Sequence, residues 1–119
     1  PWILLMDAIT RHHYTNIANG NSVPNEDGSL STVRNITIER DGLHYVLPTI
    51  WDGREVDTQT AIRNSTKIDV EWPVFNSEEE ANAWYANVKK TWEPIGNDPV
   101  KARSILDQAN RRSLIGMFE

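Results

Sequence analysis

Residues 27–53 read DGSLSTVRNITIERDGLHYVLPTIWDG, with three Asp-Gly pairs separating runs of alternating apolar residues. Asp-Gly is typical of two-residue hairpin turns, because both residues tolerate a positive φ. A turn at residues 41–42 therefore predicts that Arg40 pairs with Leu43 and that two antiparallel strands run outward from this pair. This hairpin fixes the rest of the predicted architecture.

The register of this hairpin separates its side chains into two faces, because successive strand residues point to opposite sides. One face collects the large apolar pairs, Ile36 with Leu47 and Ile38 with Tyr45. The other carries Thr37 with Val46 and Glu39 with His44. We expect the first face to be buried and the second to face solvent.

A further reversal at residues 52–53 sets Trp51 opposite Arg54 and predicts a short third strand. Asp57-Thr58 then resembles a helix start, so we expect a weak helix over residues 58–64. Beyond it, residues 70–75 read as a short extended segment interrupted by Pro73.

The strongest helical pattern begins after Ser77, which forms a capping box with Glu80. Its apolar stripe recurs at helical spacing and comprises Ala81, Trp84, Tyr85, Val88 and Trp92. We expect this helix to cover the apolar face of the sheet. A last helix is predicted to begin at Asp98 and Pro99, with Ala102, Ile105, Leu106 and Ala109 as its stripe.

These elements predict an α+β fold, a small antiparallel three-stranded β-meander packed against an amphipathic helix, plus a C-terminal helix. The 119 residues suffice for one core. We divide the chain into an apolar N-terminal arm over residues 1–15, an α+β module over 16–93, and a C-terminal helix and tail over 94–119. Residues 16–31, rich in Asn, Gly, Ser and Pro, predict a loop.

The composition limits the classes of function. The net charge is −5, and Glu39–Glu80 holds ten acidic against four basic residues, so nucleic acid is not an expected partner. The chain has no cysteine, which excludes disulfides and thiolate zinc sites. Its longest apolar run, Trp2–Met6, is too short to span a bilayer, so we expect no membrane insertion.

No residue pattern indicates catalysis or metal binding. His12 and His13 are adjacent, so their side chains diverge on a helix or a strand and would not chelate one metal. Aligning Gly28 with a calcium loop puts Val23 and Arg34 at ligand positions, which neither can fill. His44 has no nucleophile and acid converging on it. We therefore expect no enzyme activity, no metal and no cofactor.

The two ends of the chain carry more apolar residues than the extremities of a small domain usually do. They can fold back on the domain or dock on a neighbouring subunit. On the second interpretation the partner interface comprises Trp2, Ile3, Leu4, Leu5, Met6, Leu114, Ile115, Met117 and Phe118.

The chain from Asn16 to about Lys90 resembles a small module of tailed-bacteriophage virion, internal-core and tail proteins. The matching segments are NEDGSLSTVR at 25–34, YVLPT at 45–49, DGR at 52–54, PVF at 73–75 and SEEEA at 77–81. The chain differs in reading Trp72-Pro73-Val74 where the module has an apolar-Gly pair. The resemblance implies a phage context and no particular activity.

From this resemblance we expect a structural or assembly component of a bacteriophage virion. It would be made in the host bacterial cytoplasm and would bind neighbouring capsid, portal, tail or internal proteins in a multi-copy symmetric assembly. Two alternatives remain open. The chain could be a small acidic phage-encoded inhibitor of a host protein, or an accessory module of a cell-wall hydrolase.

Overall fold

The computed structural model describes the backbone of residues 6–117 and the side chains of residues 6–111. This part of the chain forms an α+β fold with four helices and short antiparallel strands. The elements in order are α1 (Ala8–Asn19), β1 (Val23–Pro24), β2 (Leu30–Ser31), β3 (Asn35–Arg40), β4 (Leu43–Pro48), β5 (Ile50–Trp51), β6 (Arg54–Glu55), α2 (Thr58–Thr66), β7 (Val74–Phe75), α3 (Glu78–Trp92) and α4 (Pro99–Met117).

The β3–β4 hairpin has the predicted register. Ile38 lies opposite Tyr45, and Arg40 lies opposite Leu43 across the turn. Asp41 and Gly42 both adopt positive φ, 56° and 80°, as a type I′ turn requires. The hairpin prediction is therefore confirmed residue by residue.

The third strand of this sheet is β7, so the predicted three-stranded sheet exists but is not a simple meander. Tyr45 of β4 pairs with Val74, and the sheet order is β3-β4-β7. The reversal at residues 52–53 does pair Trp51 with Arg54, as predicted. These residues form a separate two-stranded ribbon, because Pro48 ends β4 and the chain turns away from the sheet.

Helical elements pack on both faces of the sheet. The prediction that α3 covers the face of Ile38 and Tyr45 was wrong. Val46, only 1% exposed, packs in the main core with Ala81 and Trp92 of α3. Phe75 of β7 lies opposite His44 and on the same face, and its ring contacts that of Trp84 with centroids 5.6 Å apart. The face expected to be solvated therefore lies under α3, and the Ile38–Tyr45 face lies under α2 and the segment after it.

Helix α1 crosses the proposed boundary between residues 15 and 16. The carboxylate of Asp7 accepts a hydrogen bond from the Thr10 N–H and caps its start, and Gly20 in the left-handed conformation ends it. Asn16 and Ile17 are buried in this helix, so the loop predicted from residue 16 begins only after Asn19.

Helices α3 and α4 begin where the sequence places them. Ser77 accepts from the Glu80 N–H, and Asp98 accepts from the Val100 N–H. The stripe of α4 faces α1, with Ala102 and Leu106 in the same core cluster as Ile9. Polar pairs join the two helices at their edges, including Arg103 with Asn19.

Candidate binding groove

A groove opens on the sheet face opposite α3, with a volume of about 300 Å³. Its floor is the predicted apolar set of the hairpin, and its walls come from α2 and the irregular segment between α2 and β7. The lining residues are Ile38, Arg40, Tyr45, Leu47, Ile62, Ser65, Thr66, Ile68, Val70 and Trp72. The chain thus presents a mainly apolar concavity to solvent.

Residues 67–72, which we call the strap, form one wall of this groove. Ile68 and Val70 are 41% and 37% exposed, so both present apolar surface to solvent beside the groove. The indole N–H of Trp72 donates to the carbonyl oxygen of Ser65 at 2.9 Å and ties the end of the strap to α2. Asp69 and Glu71 alternate with the apolar residues and are exposed.

A second depression of about 160 Å³ lies on the other side of the strap, against α1. It is lined by the α1 residues Ala8, Arg11, His12 and Thr15 together with Ile68, Val70 and Trp72. The strap residues therefore line both depressions. Together they form a single surface on which apolar side chains alternate with acidic ones.

An unpaired polar atom lies within the apolar lining. The hydroxyl of Ser65 is buried and makes no hydrogen bond among the described residues. A buried hydroxyl without a partner costs free energy, of order 1–3 kcal/mol.

The two histidines of α1 diverge as predicted and have structural surroundings. The Nε2–H of His12 donates to the carbonyl oxygen of Ile50 at 2.6 Å, and its ring contacts Trp51 with centroids 4.5 Å apart. His13 lies on the core side, stacked on Trp92 and hydrogen-bonded to Thr32. Burial lowers the pKa of both histidines, that of His13 to about 4.

The contact between His13 Nδ1 and Thr32 Oγ1, at 2.7 Å, has the spacing of a base and a hydroxyl nucleophile. Both side chains are buried, 8% and 5% exposed, and the imidazole lies between the aromatic rings of Tyr14 and Trp92. The pair therefore has no access to a substrate and contributes to packing.

Asn16 is a further polar residue of α1 that the sequence patterns did not single out. Its side-chain amide donates to the carbonyl oxygen of Thr32 at 2.7 Å and lies 3.4 Å from that of Ile50. With His12 and His13 it gives α1 a polar edge that holds two loops. The signal was the position of Asn16, four residues after His12 and three after His13, which is visible only if the helix continues past residue 15.

Most of the proposed end interface lies outside the described residues. Met6 is described, and it is half-buried against the main core. Leu114, Ile115 and Met117 lie within the backbone of α4, but their side chains are not described. Trp2, Ile3, Leu4, Leu5 and Phe118 are also outside the described part of the chain.

Residues 6–117 contain no group of three or more His, Asp or Glu side chains placed to hold a metal ion. Within the same residues, none of the four helices is both long and apolar enough to cross a membrane.

Comparison with known proteins adds no identification. The chain matches no protein-family profile, no curated protein sequence and no solved structure.

Proposed function

We propose that this chain is a non-catalytic binding module and that it serves as a structural or assembly component of a bacteriophage virion. The observation that carries the binding role is the strap, where Ile68 and Val70 stay exposed beside an open groove. Exposed apolar surface next to a concavity is characteristic of protein-binding sites.

The partner we propose is a segment of a neighbouring virion protein with apolar side chains flanked by Lys or Arg. Its apolar side chains would enter the groove and contact Ile68, Val70 and Trp72. Its basic residues would meet Asp69 and Glu71, which are exposed between them. Opposite charges at the rim mainly favour rapid and selective association, and salt weakens their effect.

The virion context rests on the resemblance of residues 25–34, 45–49, 52–54, 73–75 and 77–81 to a module of tailed-phage proteins. These segments lie in several different elements of the fold. Residues 25–34 include β2, 45–49 lie mostly in β4, 52–54 include the turn between β5 and β6, and 73–81 include β7 and the start of α3. The partner would be a capsid, portal, tail or internal protein, met after synthesis in the bacterial cytoplasm.

Mass spectrometry of purified particles tests the virion role. The phage that encodes this chain should contain it at a fixed number of copies per particle. Its absence from particles purified through a density gradient would contradict the proposal. Its presence in the infected cell alone would favour the second candidate, an inhibitor whose acidic strap engages a basic host protein.

A matched pair of valine variants tests the groove. Val70→Asp adds a charge to the strap, whereas Val100→Asp adds the same charge on α4, where Val100 is 78% exposed and lines neither depression. We expect Val70→Asp to weaken recovery of the virion partner by about tenfold or more, because a charge would be desolvated at the interface. Val100→Asp should have no effect. Equal recovery with both variants would contradict the groove as the binding site.

A further inference from the structure

The middle of the strap separates two empty spaces. Ile68, Val70 and Trp72 line the groove of about 300 Å³ on one side and the second depression of about 160 Å³ on the other. A side chain next to empty space has no packing partner there, so it lacks the dispersion contacts that would fix its position. The strap is therefore a thin partition with room to move in both directions.

The strap is attached at its two ends. At its start, the Lys67 N–H donates to the carbonyl oxygen of Asn64 at 3.3 Å and continues the last turn of α2. At its end, the indole N–H of Trp72 donates to the carbonyl oxygen of Ser65 at 2.9 Å. Both bonds lead to the last turns of α2, so the strap is a loop whose two ends are held on one helix.

Residues 68–71, between these attachments, are not bonded to the rest of the described chain. Among the described residues, their hydrogen bond is internal to the strap, from the Val70 N–H to the carbonyl oxygen of Ile68 at 3.0 Å. Asp69 and Glu71 are exposed and form no ion pair with another described residue. Movement of these four residues therefore breaks no bond to the rest of the fold and removes no charge from water.

We propose that residues 68–71 are a gate that moves between the groove and the second depression. When Ile68 and Val70 move towards the hairpin, they cover the groove, whose floor holds Ile38 and Tyr45. When they move towards α1, they fill the second depression and leave the groove open. Because the two apolar side chains find a wall to contact in both positions, the positions are close in free energy and both are populated.

The gate gives α1 control over access to the groove. Thr15 of α1 lines the second depression and not the groove, so the size of its side chain sets how far the strap can withdraw. The apparent affinity for a partner falls in proportion to the fraction of molecules in which the groove is covered. This regulation rests on the groove being the binding site, as proposed above, whereas the movement of the gate does not.

Alkylation of a single introduced thiol by N-ethylmaleimide tests the gate. The chain has no cysteine, so Ile62→Cys places its only thiol in the wall of the groove that α2 provides. A second substitution changes the room for the strap, because Thr15→Ala enlarges the second depression and Thr15→Phe fills part of it. Relative to Ile62→Cys alone, we expect alkylation to be about threefold faster with Thr15→Ala and about threefold slower with Thr15→Phe, following the open fraction.

Val100→Cys supplies the control thiol, because Val100 is 78% exposed and lines neither depression. Its alkylation rate should not change with either substitution at residue 15. Equal rates at residue 62 in all three proteins, or the reverse order, would overturn the gate, and the Thr15→Ala comparison decides if Thr15→Phe does not fold. The measurement contains no virion partner, so its failure is distinct from failure of the proposed function, which is tested on particles.

Discussion

The imidazole of His13 stacks on the indole of Trp92, with ring centroids 4.3 Å apart and planes inclined by 24°. This contact joins α1 to the end of α3 across the main core. Next to it, the indole N–H of Trp92 donates to the Thr10 hydroxyl at 3.0 Å. A histidine held in this way is neutral, since burial disfavours the imidazolium and lowers its pKa to about 4.

The first prediction concerns pH. In the unfolded chain the pKa of His13 is 6.5, whereas in the folded chain burial lowers this pKa to about 4. The contribution of His13 to the free energy of unfolding should therefore be complete above pH 6.5. It should decrease as the pH falls from 6.5 towards 4, because the unfolded chain then binds a proton that the folded chain does not. His12, whose pKa burial also lowers, adds to the same slope. Urea unfolding at pH 7.5, 6.0 and 5.0 measures this loss.

The control for this prediction is His13→Gln, which retains a polar side chain and cannot be protonated. Its stability at pH 7.5 should be lower than that of wild type, because the stacking on Trp92 changes. Between pH 7.5 and 5.0 it should lose less stability than wild type. An identical loss in the two proteins would show that His13 is not the group that titrates.

The second prediction concerns the buried hydrogen bond of Trp92. Trp92→Phe removes the N–H that reaches Thr10 and part of the packed ring, so we expect a loss of about 2–4 kcal/mol in the free energy of unfolding. Trp84→Phe is the comparison, because Trp84 is only half-buried, and its loss should be smaller. Equal losses measured by denaturant titration would contradict the central position given to Trp92.

The third prediction tests the start of α1. Asp7 accepts from the Thr10 N–H at 2.8 Å and from the Thr10 hydroxyl at 2.7 Å. Asp7→Ala should lower the free energy of unfolding by about 1 kcal/mol, whereas Asp7→Asn keeps an acceptor and should cost less. Thermal and chemical denaturation of both variants check this order, and a reversed order would be inconsistent with the cap.

The fourth prediction tests the turn that fixes the hairpin register. Gly42 has φ of 80°, and a Cβ placed on it would meet no atom within 4 Å. The cost of Gly42→Ala is therefore conformational alone, about 1–2 kcal/mol for a left-handed residue. Asp41→Asn should be close to neutral, because asparagine tolerates the same conformation. A neutral Gly42→Ala would argue against the type I′ turn.

Local features of the fold could be predicted from the sequence. The hairpin register depends on Asp41-Gly42 and on the alternation beside it, and the starts of α3 and α4 depend on Ser77 and Asp98. Each of these signals lies within a few residues of the element it predicts. The structure has them at the predicted positions.

The predictions that were wrong concern features that depend on residues far away in the sequence. Strand β7 has two residues after a proline, so nothing local marks Val74 as the third strand of the sheet. Val46 and Leu47 are both buried, and alternation along β4 cannot tell which face the larger helical layer covers.

The groove was invisible in the sequence for a related reason. Its wall is the strap, and irregular backbone has no periodicity from which a face could be read. Ile68, Val70 and Trp72 alternate as a strand would, yet no residue in the described part of the chain pairs with them as a strand. Only the tertiary structure shows that they stand beside Ile38 and Tyr45.

We propose that the strap and groove bind a neighbouring virion protein. Photo-crosslinking during infection tests it most directly, with benzoylphenylalanine placed at residue 70 or, as the control, at residue 100. The account predicts that the probe at residue 70 forms a crosslink to one virion structural protein and that the probe at residue 100 does not. Crosslinks from residue 100 alone, or the same products from both positions, would contradict it.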